Sequence, residues 1–321
     1  MIKIFISNIG FGITSPDALI RLKKYGTIIR NDKNKRFNAD ELASCVANCD
    51  ILIAGTEPIT KKVFDKASSL RLIGRVGVGL DNIELEAAKH KKTTIIYTPD
   101  APSYAMAEFT LSLMLNLIKN ISIINNYMHN GQWMRFYGKQ LSSLTIGIIG
   151  VGRVGRKVIS LLKSSFPNLK ILMYDPYNVE NIEGVDRCSL IHLIKKTDIV
   201  SLHLPRTLET THLLNKNNIF KMKKGSYLIN TSRGEVVDEK ILYDALKSGH
   251  LAGAALDVFE QEPYMGPLKE INNCILTSHI GSMTYEARAL MEKQLVDDVI
   301  NFITGQTLKY PVPNFDFSKE T

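Results

Sequence analysis

The sequence predicts an α/β chain of two units, each built on a parallel sheet, and three observations carry that prediction. Short apolar segments alternate with helical ones over residues 2–97, the same alternation restarts at Thr145 and runs to Thr277, and Thr98-Pro99-Asp100-Ala101-Pro102 separates the two runs. A length of 321 residues fits about two domains with room for sizeable cores.

In the first run strands are expected over 2–6, 51–54, 72–76 and 94–97. One helix starts at Ser15 with Pro16 in its first position, and another at Asn38, where Glu41 three residues on completes a capping box. After the prolines a long helix is expected over 103–128. Its Leu111, Leu113, Met114, Leu115, Leu117, Ile118, Ile121, Ile123 and Ile124 occupy more than one face, so it must be covered on several sides by its own domains or by a second subunit. In the second run strands are expected over 146–149, 171–174, 199–203, 227–230, 254–258 and 274–277, with helices over 188–196 and 238–248. These six strands suffice for two mononucleotide-binding halves. The last element is an amphipathic helix over 284–304, with Thr284 as its N-cap.

Between the first two strands of the second run stands Gly150-Val151-Gly152-Arg153-Val154-Gly155, followed by Val158, Leu161 and Leu162 on one helical face. Gly150 permits the tight turn, Gly152 a close backbone approach, and Gly155 close packing of helix on strand. The helix N-terminus then faces phosphate groups, which makes the segment a dinucleotide site. Asp175 ends the next strand twenty residues after Gly155, where a carboxylate reaches a ribose 2′-hydroxyl. The same carboxylate repels a 2′-phosphate, and Pro176 and Tyr177 offer no arginine for one, so NAD is expected rather than NADP.

Composition narrows the rest. Residues 1–6 read as a strand and not as a signal peptide, and the apolar region 109–124 is interrupted by Asn116, Lys119 and Asn120, so neither export nor a membrane span is expected. Cys45, Cys49, Cys188 and Cys274 lack metal-ligand spacing and read as reduced thiols of a cytoplasmic protein. The formal charge of +8 is dispersed and accompanied by no nucleic-acid-binding motif. Its densest run, Arg30-Asn31-Asp32-Lys33-Asn34-Lys35-Arg36, reads as a solvated loop, and a positive field also suits a small anionic substrate.

Three ionisable residues follow strands of the second unit, where open parallel sheets place their ligand crevice: Arg233, Glu262 and His279. The planar guanidinium of Arg233, in Asn230-Thr231-Ser232-Arg233-Gly234, suits a carboxylate. Glu262 closes Leu256-Asp257-Val258-Phe259-Glu260-Gln261-Glu262-Pro263, and His279 lies in Ser278-His279-Ile280-Gly281. A carboxylate beside a histidine favours imidazolium, a proton donor.

Together with Arg75-Val76-Gly77-Val78-Gly79-Leu80-Asp81-Asn82-Ile83, Ala105-Met106-Ala107-Glu108 and His203-Leu204-Pro205, these segments make the chain resemble the D-isomer-specific 2-hydroxyacid dehydrogenases, nearest to the phosphoglycerate dehydrogenase-like branch, over almost its whole length. The resemblance implies a Rossmann NAD-binding domain over 100–285, inserted into a split flavodoxin-like substrate domain made of 1–99 and 286–321. It implies that the backbone at Val78 and Gly79 meets the substrate carboxylate, with Arg75 beside it, and that Arg233 holds the carboxylate and the reacting carbonyl. The cofactor contacts it implies, beyond Gly150, Gly152 and Gly155, are Arg153 and Val154 at the pyrophosphate, Asp175 at the ribose, His203, Pro205, Thr207 and Thr211 after the third strand, Thr231 and Asp257 near the nicotinamide, and Gly281. In the implied reaction, domain closure excludes water and NADH gives hydride to a 2-keto acid while His279, oriented by Glu262, donates the proton. Related formate dehydrogenases carry glutamine at the place of Glu262, which argues for a keto acid. The expected substrate pair is 3-phosphoglycerate and 3-phosphohydroxypyruvate, with Lys33, Lys35, Arg36 and Arg75 as candidates for the phosphate and hydroxypyruvate or glyoxylate as the alternative. A homodimer through 103–128 is expected. A different class on the same framework, NAD-binding corepressors that act through protein partners, also retains such residues.

Overall fold

A computed structural model describes residues 1–178, 180–315 and 317. The chain divides into two compact units, Met1–Pro102 with Met283–Thr321, and Ser103–Ser282. The divisions fall where long helices begin, three residues from each of the boundaries read from the sequence.

The first unit runs β1 (Lys3–Ile6), α1 (Pro16–Lys23), β2 (Thr27–Arg30), α2 (Ala39–Val46), β3 (Ile51–Ala54), α3 (Lys61–Lys66), β4 (Leu72–Arg75), α4 (Leu85–His90) and β5 (Thr94–Tyr97). Its strands form one parallel sheet in the order β2-β1-β3-β4-β5, the flavodoxin-like order, with its switch point between β1 and β3. Side chains alternate across the sheet: Phe5, Leu52, Ile73 and Ile95 pack with Leu42, Val46 and Phe64 on one face, and Ile4, Ile6, Ile53 and Leu72 with Leu22 on the other. Both faces are covered, which is why these strands are apolar throughout. The capping box at α2 forms, with the Glu41 N–H donating to Asn38 Oδ1 at 2.9 Å and the Asn38 N–H to Glu41 Oε2 at 3.2 Å.

The second unit runs α5 (Ser103–Lys119), α6 (Ile121–His129), β6 (Thr145–Ile149), α7 (Arg153–Ser165), β7 (Lys170–Tyr174), β8 (Asp186–Arg187), α8 (Leu190–Lys196), β9 (Ile199–Leu202), α9 (Lys216–Ile219), β10 (Ser226–Asn230), α10 (Glu239–Lys247), β11 (Leu251–Leu256) and β12 (Cys274–Leu276). Its parallel sheet has the order β12-β11-β10-β9-β6-β7-β8, a doubly wound sheet whose order reverses between β6 and β9. α5 and α7 cover one face through Met114, Leu117, Val158 and Leu162; α8 and α10 cover the other through Leu193 and Leu242. Each such fully buried leucine contributes about 1.5–3 kcal/mol.

The chain then returns to the first unit as α11 (Tyr285–Ile303), capped by Thr284 Oγ1, which accepts the Ala287 N–H at 3.1 Å. Leu295 lies against the bare backbone of Gly74 in β4, and Val299 joins the same core. After α11 the chain runs beside β5, with the Ile95 N–H on the Phe315 carbonyl at 2.9 Å and the Val312 N–H on the Ile95 carbonyl at 2.8 Å.

Two expectations are corrected. The single helix over 103–128 is two, bent by 64° at Asn120, which takes the left-handed conformation at φ 57°. Asn116 fixes the break: its Oδ1 accepts the Ser122 N–H at 2.9 Å and its Nδ2 donates to Ser122 Oγ at 2.8 Å. The second sheet has seven strands where six were expected, the extra one being the two-residue β8. β2 of the first unit also escaped the pattern, and for the same reason: both are short edge strands and neither is fully buried. No single helix among the described residues is long and apolar enough to cross a membrane.

Candidate active site

The C-terminal edge of the second unit's sheet gathers the dinucleotide residues. Gly150 has φ +90°, and a Cβ there would stand 2.4 Å from the His203 carbonyl oxygen, so the turns after β6 and β9 meet backbone to backbone at the switch point. A Cβ on Gly155 would stand 2.1 Å from the Gly150 carbonyl oxygen, which seats α7 against the turn. A Cβ on Gly152 would meet nothing within 4 Å, and α7 begins there with no side-chain cap on its amides. Open space beside a glycine and an uncapped helix start fit a pyrophosphate, with Arg153 and Val154 in the first turn.

Asp175 braces this turn. Its Oδ2 accepts the Val151 N–H at 2.8 Å, and its Oδ1 accepts the Tyr177 and Asn178 N–H groups, each at 2.9 Å. Burial raises the Asp175 carboxyl, but these three bonds and the Arg187 charge outweigh it, so the group stays below the usual range and ionised. A carboxylate has roughly four acceptor sites, which leaves about one for a ribose hydroxyl. His203 is neutral: desolvation pushes its pKa down to about 4, and its Nε2 pairs with Ser201 Oγ at 3.0 Å. Pro205, Thr207 and Thr211 lie in the loop after β9, a self-bonded turn in which Thr210 Oγ1 donates to the Pro205 carbonyl at 2.7 Å and Thr211 Oγ1 to the Thr207 carbonyl at 2.7 Å.

His279, Glu262 and Arg233 come together at the same sheet edge. His279 Nδ1 lies 2.9 Å from Glu262 Oε2 and 3.1 Å from Oε1, and Glu262 Oε1 also accepts the Phe259 N–H at 3.2 Å. This geometry assigns the Nδ1 hydrogen to the Glu262 side and leaves Nε2 for chemistry. Burial raises the Glu262 carboxyl, but the His279 hydrogen bond and charge, the Phe259 N–H and the Arg233 charge outweigh it and hold it below the ordinary carboxylate value. Arg233 follows β10 on a turn tied by Asn230, whose Nδ2 donates to the Arg233 carbonyl at 2.8 Å while its Oδ1 accepts the Ser232 N–H at 3.0 Å.

Asp257 organises the loop that carries His279. It is fully buried; Oδ1 accepts Thr277 Oγ1 at 2.6 Å and the Ile280 N–H at 2.8 Å, and Oδ2 accepts the Gly281 N–H at 2.8 Å. The loop 277–281 therefore wraps one carboxylate and holds His279 at its apex with φ 57°, a conformation costly for a side-chain-bearing residue. Space at Gly281 is tight, since a Cβ there would stand 2.7 Å from Met106 Sδ and 3.0 Å from Asp257 Oδ2. Thr231 is buried, its hydroxyl 3.1 Å from that of Thr110 in α5.

In the first unit Arg75 grips its own turn: Nε donates to the Gly79 carbonyl at 3.0 Å and Nη1 to the Val76 carbonyl. Gly77 there has φ +139°, and a Cβ on it would collide with the Arg75 guanidinium. Val78 is exposed. Sequence reasoning assigned no role to Asn230 or Thr277; the signal for both was a turn-forming polar residue just past a buried strand.

Comparison with known proteins places the chain in a family. Residues 111–281 match the family model for the NAD-binding domain of D-isomer specific 2-hydroxyacid dehydrogenases. The chain is 38% identical over 306 residues to a D-3-phosphoglycerate dehydrogenase of Methanocaldococcus jannaschii, an alignment covering 92% of this chain and 57% of that protein's length. It is 36% identical over 317 residues to a glyoxylate reductase of Thermofilum pendens, covering 95% of this chain and 92% of the relative. The crystal structure of a D-lactate dehydrogenase from Aquifex aeolicus complexed with NAD and lactic acid superposes with a TM-score of 0.83 at 28% identity, covering 94% of this chain and 96% of the other. From the glycine turn, the Arg233, Glu262 and His279 cluster and these matches, the chain belongs to the D-isomer-specific 2-hydroxyacid dehydrogenases, NAD-dependent oxidoreductases acting on a CH–OH group.

Proposed function

We propose that the protein interconverts a 2-keto acid and a D-2-hydroxy acid, and the observation that carries the reading is the His279–Glu262 pair beside Arg233 at the sheet edge that bears the glycine turn. NADH, when bound, supplies the hydride that adds to the keto carbon. His279 gives its Nε2 proton to the carbonyl oxygen as that oxygen gains charge, and Glu262 keeps the ring turned and its Nδ1 hydrogen engaged. Arg233 holds the substrate carboxylate and polarises the carbonyl. In the first unit the backbone N–H groups of Val78 and Gly79 are donors suited to a carboxylate, on a turn that Arg75 stiffens from behind. In the oxidative direction neutral His279 takes the proton back.

The proposed substrate pair is 3-phosphoglycerate and 3-phosphohydroxypyruvate, supported by the 38% identity to the archaeal enzyme of that name. A second reading, hydroxypyruvate or glyoxylate, is favoured by the local engagement of the basic residues expected to serve a phosphate. Lys35 pairs with Glu41 at 2.6 Å, Arg36 donates to the Thr56 carbonyl at 2.6 Å, and Arg75 is spent on its turn. Steady-state comparison of 3-phosphohydroxypyruvate, hydroxypyruvate and glyoxylate decides: a kcat/KM at least about tenfold higher for the phosphorylated acid, about 1.4 kcal/mol of transition-state binding, supports the first, and a preference for either unphosphorylated acid supports the second.

We also propose a homodimer through α5, α6 and the segment after them. α6 has no buried residue, and Ile121, Met128, Trp133, Phe136 and Tyr137 are exposed large apolar side chains in succession. Light scattering of the native protein gives twice the chain mass if this holds, and the chain mass if it does not. The free cysteines suit a reducing compartment, the cytoplasm.

A further inference from the structure

The loops carrying Arg233 and Glu262 are joined at one peptide group. A Cβ on Gly234 would stand 1.9 Å from the Phe259 carbonyl carbon and 2.3 Å from the Glu260 nitrogen, so the residue after Arg233 rests its bare backbone on the 259–260 peptide. The Phe259 N–H, just before that peptide, donates to Glu262. On the peptide's other side the Glu260 N–H donates to Glu239 Oε1 at 2.7 Å, and the Glu260 carboxylate returns to the Glu239 N–H at 3.3 Å. Glu239 is the first residue of α10, where the helix dipole favours a carboxylate, and the helix is anchored separately by Asp238, whose Oδ1 accepts the Ile241 N–H at 3.1 Å. Around them Arg206 pairs with Glu235 at 2.8 Å, and His212 Nε2 lies 3.1 Å from Glu260 Oε1.

We propose that Glu239 is a positioning residue for the reaction: as acceptor for the Glu260 N–H it fixes the 259–260 peptide, and through it the place of Glu262 against His279 and of Arg233 beside them. Without that acceptor the peptide is free to rotate on the Gly234 surface. The Phe259 N–H then no longer sets Glu262, and the His279 ring loses the partner that fixes its orientation. What matters is the acceptor oxygen and not the charge, because the bond is made to a backbone N–H. The inference rests on the functional reading above.

The test is Glu239→Ala beside Glu239→Gln in the full chain, with two readouts. The first is the His279 imidazole by ¹H–¹⁵N NMR, its signals assigned by their loss in His279→Ala. The expected result is the Nδ1–H form in the wild type and in Glu239→Gln, and a mixed tautomer in Glu239→Ala. This readout needs no turnover, so it stands even if no keto acid is reduced and the functional reading fails. The second is kinetic: Glu239→Ala lowers kcat about tenfold, a displacement well under the ~1 Å that costs about a hundredfold, while the NADH Kd stays within about twofold and Glu239→Gln regains most of the rate. If Glu239→Ala is too unstable to assay, Glu239→Asp, one methylene shorter, reads the same step. An unchanged His279 spectrum with unchanged kcat overturns the proposal, as does an equal loss in the Gln and Ala variants or a loss of NADH affinity in step with kcat.

Discussion

Replacing Asp257 by Asn tests the carboxylate that holds the loop of His279. Asp257 is fully buried and accepts three hydrogen bonds of 2.6 to 2.8 Å from the 277–281 loop. The amide keeps its shape, but its NH₂ must face either the Gly281 N–H or the Thr277 and Ile280 donors, so at least one bond is lost and one donor is left opposed by another. A bond to a charged acceptor contributes about 1.5–3 kcal/mol, and the expected destabilisation is about 2–3 kcal/mol. The functional loss is larger in proportion. His279 is held at φ 57° by the amides that follow it, and release lets it relax toward ordinary backbone values, moving the ring by an amount on the order of 1 Å, worth about a hundredfold in kcat. Urea denaturation followed by circular dichroism reads the first effect as a lower midpoint, and NADH oxidation with a keto acid reads the second. A midpoint and a kcat both equal to wild type would refute the reasoning.

Three further outcomes follow from the same geometry. His279→Ala is expected to bind NADH with wild-type affinity by fluorescence titration while turnover falls about a hundredfold or more, the scale of a lost general acid. Glu262 has its folded pKa held below 4.5, so its contribution to stability is complete above about pH 4.5 and is lost as the pH falls through the lowered value. The difference in urea midpoint between wild type and Glu262→Gln should therefore shrink as the pH is lowered from about 6 to about 3; a difference that stays constant contradicts the assignment. Gly155→Ala places a methyl group 2.1 Å from the Gly150 carbonyl, and the overpacking is expected to cost about 1–3 kcal/mol and to weaken NADH binding by moving the start of α7, which thermal unfolding and an NADH titration would read.

What the sequence made legible was whatever repeats locally. The buried parallel strands read as apolar runs because both faces of each sheet are covered, and the helix starts at Pro16, Asn38 and Thr284 were written in capping chemistry. Arg233 and His279 were visible because each lies three residues past a strand of the second sheet, and Glu262 because it closes the loop six residues past β11. The edge strands β2 and β8 escaped because they are short and carry no buried residue, β2 with four residues and β8 with two, and the break at Asn120 escaped because helical periodicity continues across it on both sides. Roles that depend on contacts remote in sequence were out of reach: Asp257 as the hub of the histidine loop, Glu239 beneath Glu260, and Arg75 as a brace for its own turn.

The central claim, transfer of hydride between NADH and the keto carbon of a 2-keto acid with the proton delivered from His279, is tested most directly by the product itself. Hydroxypyruvate incubated with the protein and NADH, and the resulting glycerate resolved by chiral chromatography, should give D-glycerate in step with the NADH consumed and none above background with His279→Ala. L-Glycerate, or undiminished turnover in the His279→Ala variant, would contradict it.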